Sequence, residues 1–184
     1  IPHIFPDEVI EAATKAKPVT KVTGKREDLR HLPLITIDPA DARDHDDAIC
    51  AYPDDDPKNK GGHVVWVAIA DVAHYVTPGS ALDTEARLRG NSSYFPDRVV
   101  PMLPEELSGD LCSLHEGVDR PCMAVRMVLN AEGQKIAHDF HRGLMRSPAS
   151  LTYEQAQAAA DGEPDEQCAP LWDEAIKPVF DAYR

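Results

Sequence analysis

Four aspartates fall within ten residues of this 184-residue chain: Asp38, Asp44, Asp46 and Asp47, with Asp41 between them. Carboxylates crowded this closely repel one another and resist ionisation, so a fold that gathers them needs a cation to offset the cost. Oxygen-only donors suit hard divalent cations. Mg²⁺ in particular keeps several waters and completes its shell with substrate phosphate oxygens. The competing reading is an acidic, solvated turn. An EF-hand loop does not fit. With Asp44 as its first residue, Ile49 stands where the sharp-turn glycine belongs.

The elements that must position this run are legible on either side of it. Leu34-Ile35-Thr36-Ile37 is apolar and rich in β-branched residues, which reads as a buried strand that Asp38-Pro39 ends. A second strand over Ala48–Tyr52 leaves the acidic run directly. The Pro53–Gly62 loop joins it to His63–Ala70 (HVVWVAIA), the strongest buried-strand signal in the chain, and the two should form a hairpin. The Asp54-Asp55-Asp56 run in that loop has nothing apolar to hold it and reads as solvated. Asp71 and His74 follow the strong strand, where polar residues at a strand end can serve a site or simply be satisfied within the structure.

Helices are expected over Phe5–Ala16, from the Ser80 cap to about Arg89, and from Pro104 to about Gly109. Another should run from the Thr152–Gln155 capping box to Asp161-Gly162, and a last one from about Leu171 to Arg184. Asn91–Met102 reads as a loop with short extended pieces. Arg120–Asn130 and Gln134–Arg146 read as a hairpin turning at Ala131-Glu132-Gly133. The expected class is therefore mixed α/β (α+β), a mixed β-sheet with flanking helices. Residues 1–33 form an N-terminal helix and linker, and residues 34–184 the domain itself.

Composition narrows the function. With 42% hydrophobic residues the chain is globular. The 19 basic against 32 acidic residues leave a net charge of -13, which argues against a surface that coats nucleic acid. It leaves room for an enzyme that meets phosphate through a metal. Four cysteines, Cys50, Cys112, Cys122 and Cys168, lack any CxxC spacing and point to reduced thiols in a cytoplasmic protein. Neither a signal-peptide pattern nor an apolar run approaching the roughly 18 residues of a membrane span is present. The missing initiator Met suggests a chain cut from something longer.

Four blocks carry a resemblance to a known family: REDLRHLPLITIDPADARDHDDA at Arg26–Ala48, VAIADVAHYV at Val67–Val76, RGNSSYFPDRVVPMLPEELSGDLCSL at Arg89–Leu114, and SPASLTYEQ at Ser147–Gln155. In their order and spacing the chain resembles the N-terminal half of the catalytic RNB domain of the ribonuclease II and ribonuclease R family, on the ribonuclease R side. The resemblance implies a mixed α/β fold around an RNA channel. It implies Mg²⁺-dependent (or Mn²⁺-dependent), processive 3′-to-5′ hydrolysis of single-stranded RNA to nucleoside 5′-monophosphates. The family's four acidic positions fall on Asp38, Asp44, Asp46 and Asp47. Asp38 and Asp47 are expected as direct metal ligands, with Asp44 and Asp46 on metal-bound water or a second metal. The family's base-stacking aromatic falls on Tyr94, whose polar neighbours Ser92, Ser93, Asp97 and Arg98 favour an exposed ring. Stacking on an aromatic is worth roughly 1–3 kcal/mol per base without sequence preference. His74 and Arg89 are further RNA-binding candidates, although Arg89 and Arg98 could equally salt-bridge to carboxylates. His45 departs from the apolar or aromatic residue expected between the family aspartates and is assigned no role.

The family domain is roughly twice this length. Its later half supplies a phosphate-contacting arginine, a further glutamate and a second base-clamping aromatic, and OB-type modules flank it. The chain alone is therefore expected to be inactive or nearly so. It is also expected to self-associate through apolar faces of Leu34–Ile37 and His63–Ala70 left uncovered. The alternative function is a non-catalytic RNB-like module that binds metal or RNA. A metal-dependent phosphatase or endonuclease on another fold would explain the aspartates but neither Tyr94 nor VAIADVAHYV.

Overall fold

The structure is a computed structural model and describes residues 3–184. Strand formation follows the β-branched runs. The main sheet has five strands in the order β1-β8-β7-β4-β3. These are β1 (Glu27–Asp28), β3 (Asp47–Pro53), β4 (His63–Ala70), β7 (Asp119–Leu129) and β8 (Lys135–Arg146). Only the short β1 runs parallel to its neighbour; the β3–β4, β4–β7 and β7–β8 pairs are antiparallel. Two small sheets lie beside it: β2 (Thr36–Asp38) parallel to β9 (Ser150–Thr152), and the hairpin of β5 (Ser93–Phe95) and β6 (Arg98–Val100).

Alternation along the strands makes two cores. One sheet face presents Cys50, Val64, Trp66, Ala68, Cys122, Ala124 and Val128. It is covered by α1 (Asp7–Lys15), α3 (Ala81–Arg89) and the segment Leu103–Leu114. The opposite face presents Ile49 to a second cluster built from Ile35, Leu151, Ala159, Ala175, Ile176 and Phe180. There α4 (Tyr153–Ala160) and α5 (Lys177–Tyr183) close over β2 and β3. The Thr152 capping box and the Ser80 N-cap start α4 and α3 where expected. Gly143 on β8 has a steric reason: a Cβ there would sit 2.4 Å from Leu29 Cδ1.

Three expectations are corrected. Gly109 does not end a helix but lies inside a π-helical turn, Glu106–Leu111. The last helix is not continuous. Pro170 sits in a 3-10 turn (Ala169–Leu171), a π turn follows (Trp172–Ile176), and α5 restarts with Pro178 in its first turn. The strands thought to be left bare are covered: Leu34 and Ile35 are fully buried, and along β4 the exposed large apolar side chain is Ile69. What stays open is the far part of that sheet face, where Met123, Ile136 and Phe140 are exposed among the described residues. No described helix is long and apolar enough to cross a membrane.

The end of β4 is fastened by a buried ionic junction. Asp71 accepts from Arg26 Nη2 at 2.7 Å and from Arg142 Nε at 2.8 Å, and its side chain is 1% exposed. Its backbone N–H donates to Pro121 O. One carboxylate thus joins the residue before β1, the middle of β8 and the end of β4, the strand whose last residue bonds the acidic run. Burial alone would raise the Asp71 pKa, but the hydrogen bonds from Arg142 and Arg26 outweigh it and hold the carboxyl below its ordinary value. Asp71→Asn should destabilise the fold by about 3 kcal/mol at pH 7, because Arg26 is left buried without its counter-charge. A depressed carboxyl pKa stabilises above the unfolded value, near 4, and that contribution is lost as pH falls through the folded value. Urea unfolding of both proteins at a series of pH values should therefore show their difference shrinking below about pH 4. A constant difference would show that the charge of Asp71 is not what matters.

Candidate metal and RNA site

The acidic run leaves β2 at Asp38 and re-enters the sheet at Asp47, the first residue of β3. Between them the chain is held by its backbone. Asp46 O accepts from Ala70 N–H at 2.9 Å, at the end of β4. The His45 N–H donates to Ser113 Oγ at 2.9 Å, and His45 O accepts from Leu114 N–H at 2.8 Å. Asp44 and Asp46 line an open cleft of about 900 Å³. The His45 ring points to Asp38, with Nδ1–H donating to Asp38 Oδ2 at 2.8 Å. A carboxylate can only accept, so this contact sets the imidazole tautomer. The His45 ring meets His115 edge-on at 5.7 Å between centroids, and His115 Nε2 is bonded to Gly109 O at 2.9 Å.

The electrostatics couple the aspartates to one another. Asp46 is raised above its ordinary pKa first by loss of solvent, then by the charges of Asp44, Asp47 and Asp38. Asp47, which also keeps exposed surface, is raised by loss of solvent and then by Asp38. The four carboxylates therefore feel one another. Among the described residues, however, no three His, Cys, Asp or Glu side chains converge to hold an ion by themselves. Asp38 is engaged by His45, and Asp44 accepts from the Tyr94 hydroxyl at 3.1 Å. An oxygen-rich set that repels itself, yet does not close into a cage, fits a hydrated hard cation that completes its shell with water and substrate oxygens.

Tyr94 stands on β5 at the cleft wall, 67% exposed, and its phenol is shifted up by loss of solvent and by the Asp44 charge. The other two candidates lie elsewhere. His74 sits on the short helix α2 (Val72–Tyr75) with its ring against Tyr75. Val72 and Val76 line the cleft, and His74 does not. Loss of solvent and the nearby Arg26 charge lower its pKa. Arg89 is unavailable to a phosphate. Its side chain is 3% exposed, paired with Glu85 at 2.8 Å, bonded to the Ile4 and Pro101 carbonyls, and stacked 3.6 Å over the Phe5 ring. It braces α3 against the N-terminal segment. Sequence reasoning passed over Ser113 and left His45 without a role. Nothing local marks Ser113, because its partner lies 68 positions away.

Ser113 is fully buried, and its hydroxyl is the acceptor for the His45 amide. Removing it leaves a buried donor unpaired, at a cost of about 1–3 kcal/mol. Ser113→Ala should accordingly lower stability by that amount and speed hydrogen exchange at the His45 amide, with little change at Ala70. Unchanged exchange at His45 would mean the hydroxyl does not hold the run.

The family description "RNB domain" matches residues 26–183. Ribonuclease R of Escherichia coli (strain K12) is 46% identical over 175 residues, covering 93% of this chain and 21% of that protein. Ribonuclease R of Acidithiobacillus ferrooxidans is 49% identical over 166 residues, covering 89% of this chain and 36% of that one. Among solved structures, Mycoplasma genitalium RNase R in complex with ribose methylated single-stranded RNA superposes with a TM-score of 0.90 at 31% identity, over 99% of this chain and 28% of that one. The chain thus spans well under half the length of these relatives.

Proposed function

This chain belongs to the RNB-domain family, and from that membership we propose that it forms the metal-bearing part of a cytoplasmic 3′-to-5′ exoribonuclease that hydrolyses single-stranded RNA to nucleoside 5′-monophosphates. The observation that carries the reading is the shared cleft: two of the four aspartates and an exposed tyrosine face the same space. Asp38, Asp44, Asp46 and Asp47 would hold Mg²⁺ or Mn²⁺. When bound, the cation supplies charge that offsets the scissile phosphate and lowers the pKa of the attacking water.

The chain's own residues do the rest. Tyr94 offers a π-face to the 3′-terminal base and orients the last nucleotide without reading its identity. Its hydroxyl, on Asp44 at 3.1 Å, ties the ring to the acidic run, so base and carboxylates keep one register. His45 holds Asp38 in orientation through Nδ1–H, while the Ser113 and Leu114 contacts fix the backbone from which Asp44 and Asp46 project. In the reaction, water adds to phosphorus as the bond to the preceding 3′-oxygen breaks. The terminal nucleotide leaves with its 5′-phosphate, and the 3′-oxygen takes up a proton.

Two measurements in a full-length ribonuclease R carrying this sequence test the proposal. Asp46→Asn should lower turnover by two or more orders of magnitude, in the range of removing a principal electrostatic group, while RNA binding is kept, since one negative charge fewer does not weaken phosphate contacts. Near-wild-type turnover would end the assignment. Tyr94→Ala should leave a longer final fragment, because short RNA depends most on the lost stacking. Sequencing-gel analysis of the end products decides this, and an unchanged limit length would make Tyr94 a structural aromatic.

A further inference from the structure

The cleft that holds Asp44, Asp46 and Tyr94 has acidic walls. Its charged lining residues are Asp44, Asp46, Asp83 and Arg87, so among the described residues one cation faces three carboxylates. Arg87 lies on α3 two positions before Arg89, and the two have opposite fates. Two helical steps turn about 200°, so Arg89 faces inward to Phe5 and Glu85 while Arg87 faces the cleft with its side chain 75% exposed.

The way Arg87 is held is informative. Its Nε lies 3.1 Å from both carboxyl oxygens of Asp83, one turn earlier on the same helix. Asp83 is itself fixed. Its Oδ2 accepts from Gly79 N–H at 2.8 Å, and it is 19% exposed. The Gly79 contact, ahead of Arg87, holds its carboxyl below the ordinary value. The pair therefore stays ionised. Only Nε of the guanidinium is engaged. Nη1 and Nη2 have no hydrogen-bond partner among the described residues. Those two groups form the edge that binds phosphate in a fork. A side chain steered at its base, with its donor edge open to the cleft, is arranged for an anion.

We infer that Arg87 is an RNA-binding residue that grips a backbone phosphate of the strand entering the cleft, with Asp83 steering its guanidinium. The inference rests on the exoribonuclease reading of the cleft and adds the cation that the acidic walls otherwise lack. The contact is to backbone, so it is blind to base identity, as is stacking on Tyr94 across the same space. The bland alternative is an exposed ion pair between residues four apart, which contributes little to stability and nothing to binding.

The test is equilibrium binding in a full-length ribonuclease R carrying this sequence, with 5′-labelled oligoadenylate and oligouridylate, in EDTA so that no hydrolysis intervenes. Arg87→Gln should weaken both oligonucleotides by the same factor, on the order of tenfold at low salt, and reduce the slope of log affinity against log salt by about 0.7, one phosphate on a single strand. Arg87→Lys, which keeps the charge, should recover the slope and part of the affinity. Under turnover the Arg87→Gln loss should fall on KM more than on kcat. Affinity and salt slope equal to wild type in Arg87→Gln overturn the inference, as does a Lys variant no better than Gln. Failure of the nuclease reading is separately visible, since it would appear as wild-type turnover in Asp46→Asn whatever the binding curves show.

Discussion

Mutual repulsion among the aspartates is the constraint the fold has to meet. Asp46 and Asp47 both resist ionisation, through lost solvent and then neighbouring carboxylates, and a flexible loop would relieve this by spreading. The fold prevents that with bonds that use no aspartate side chain of the cleft pair. Asp46 O is tied to Ala70, His45 N–H to Ser113 and His45 O to Leu114. Backbone pins of this kind hold the chain and leave the Asp44 and Asp46 carboxylates facing the cleft. Ala70 is itself fixed, because the next residue, Asp71, is locked between two arginines and bonded to Pro121. The ionic junction thus supports the acidic run at one remove, through β4.

How much of this was legible depended on the range of each interaction. The hairpins, the two capped helices and the acidic run rest on local signals, such as alternation, turn residues and Ser or Thr caps, and the structure has them in place. The RNB-family resemblance was also legible, in four blocks distributed between Arg26 and Gln155. What failed to show in the sequence is long-range or steric. The parallel pairing of β2 with β9 joins residues more than 110 positions apart. Gly109 looked like a helix stop, but it lies inside a π-helical turn, Glu106–Leu111, that continues past it. A single helix over Leu171–Arg184 was expected, yet the segment falls into three helical types, with Pro170 in the first and Pro178 in the last.

The candidate site shows the same division. Spacing and family resemblance singled out the four aspartates and Tyr94, and the structure brings Asp44, Asp46 and Tyr94 to one cleft, whereas Asp38 and Asp47 do not line it. The role of His45 was invisible because it depends on how the run folds back to bring the ring to Asp38, seven positions earlier. Arg89 was a poor choice for a related reason. Charge and position in a loop-proximal helix do not say which face is inward, and the Phe5 ring that claims it lies 84 positions earlier.

A net charge of -13 and a polyanionic substrate are compatible because binding depends on local field rather than on the total. Screening at physiological salt limits exposed charges to about 8 Å, so acidic residues of the Asp54–Asp56 loop, at the opposite end of β3 from the acidic run, contribute little at the cleft. The charged residues that line the cleft are Asp44, Asp46, Asp83 and Arg87. Cations held by the aspartates would neutralise much of that wall. What remains is the balance between Asp83 and Arg87, and here geometry outweighs count. Asp83 is mostly covered and has its oxygens occupied by Gly79 and Arg87, whereas the guanidinium keeps its outer edge in solvent. An approaching phosphate would meet the donors before the acceptors, so a cleft that is acidic by composition can present a cationic edge to a strand.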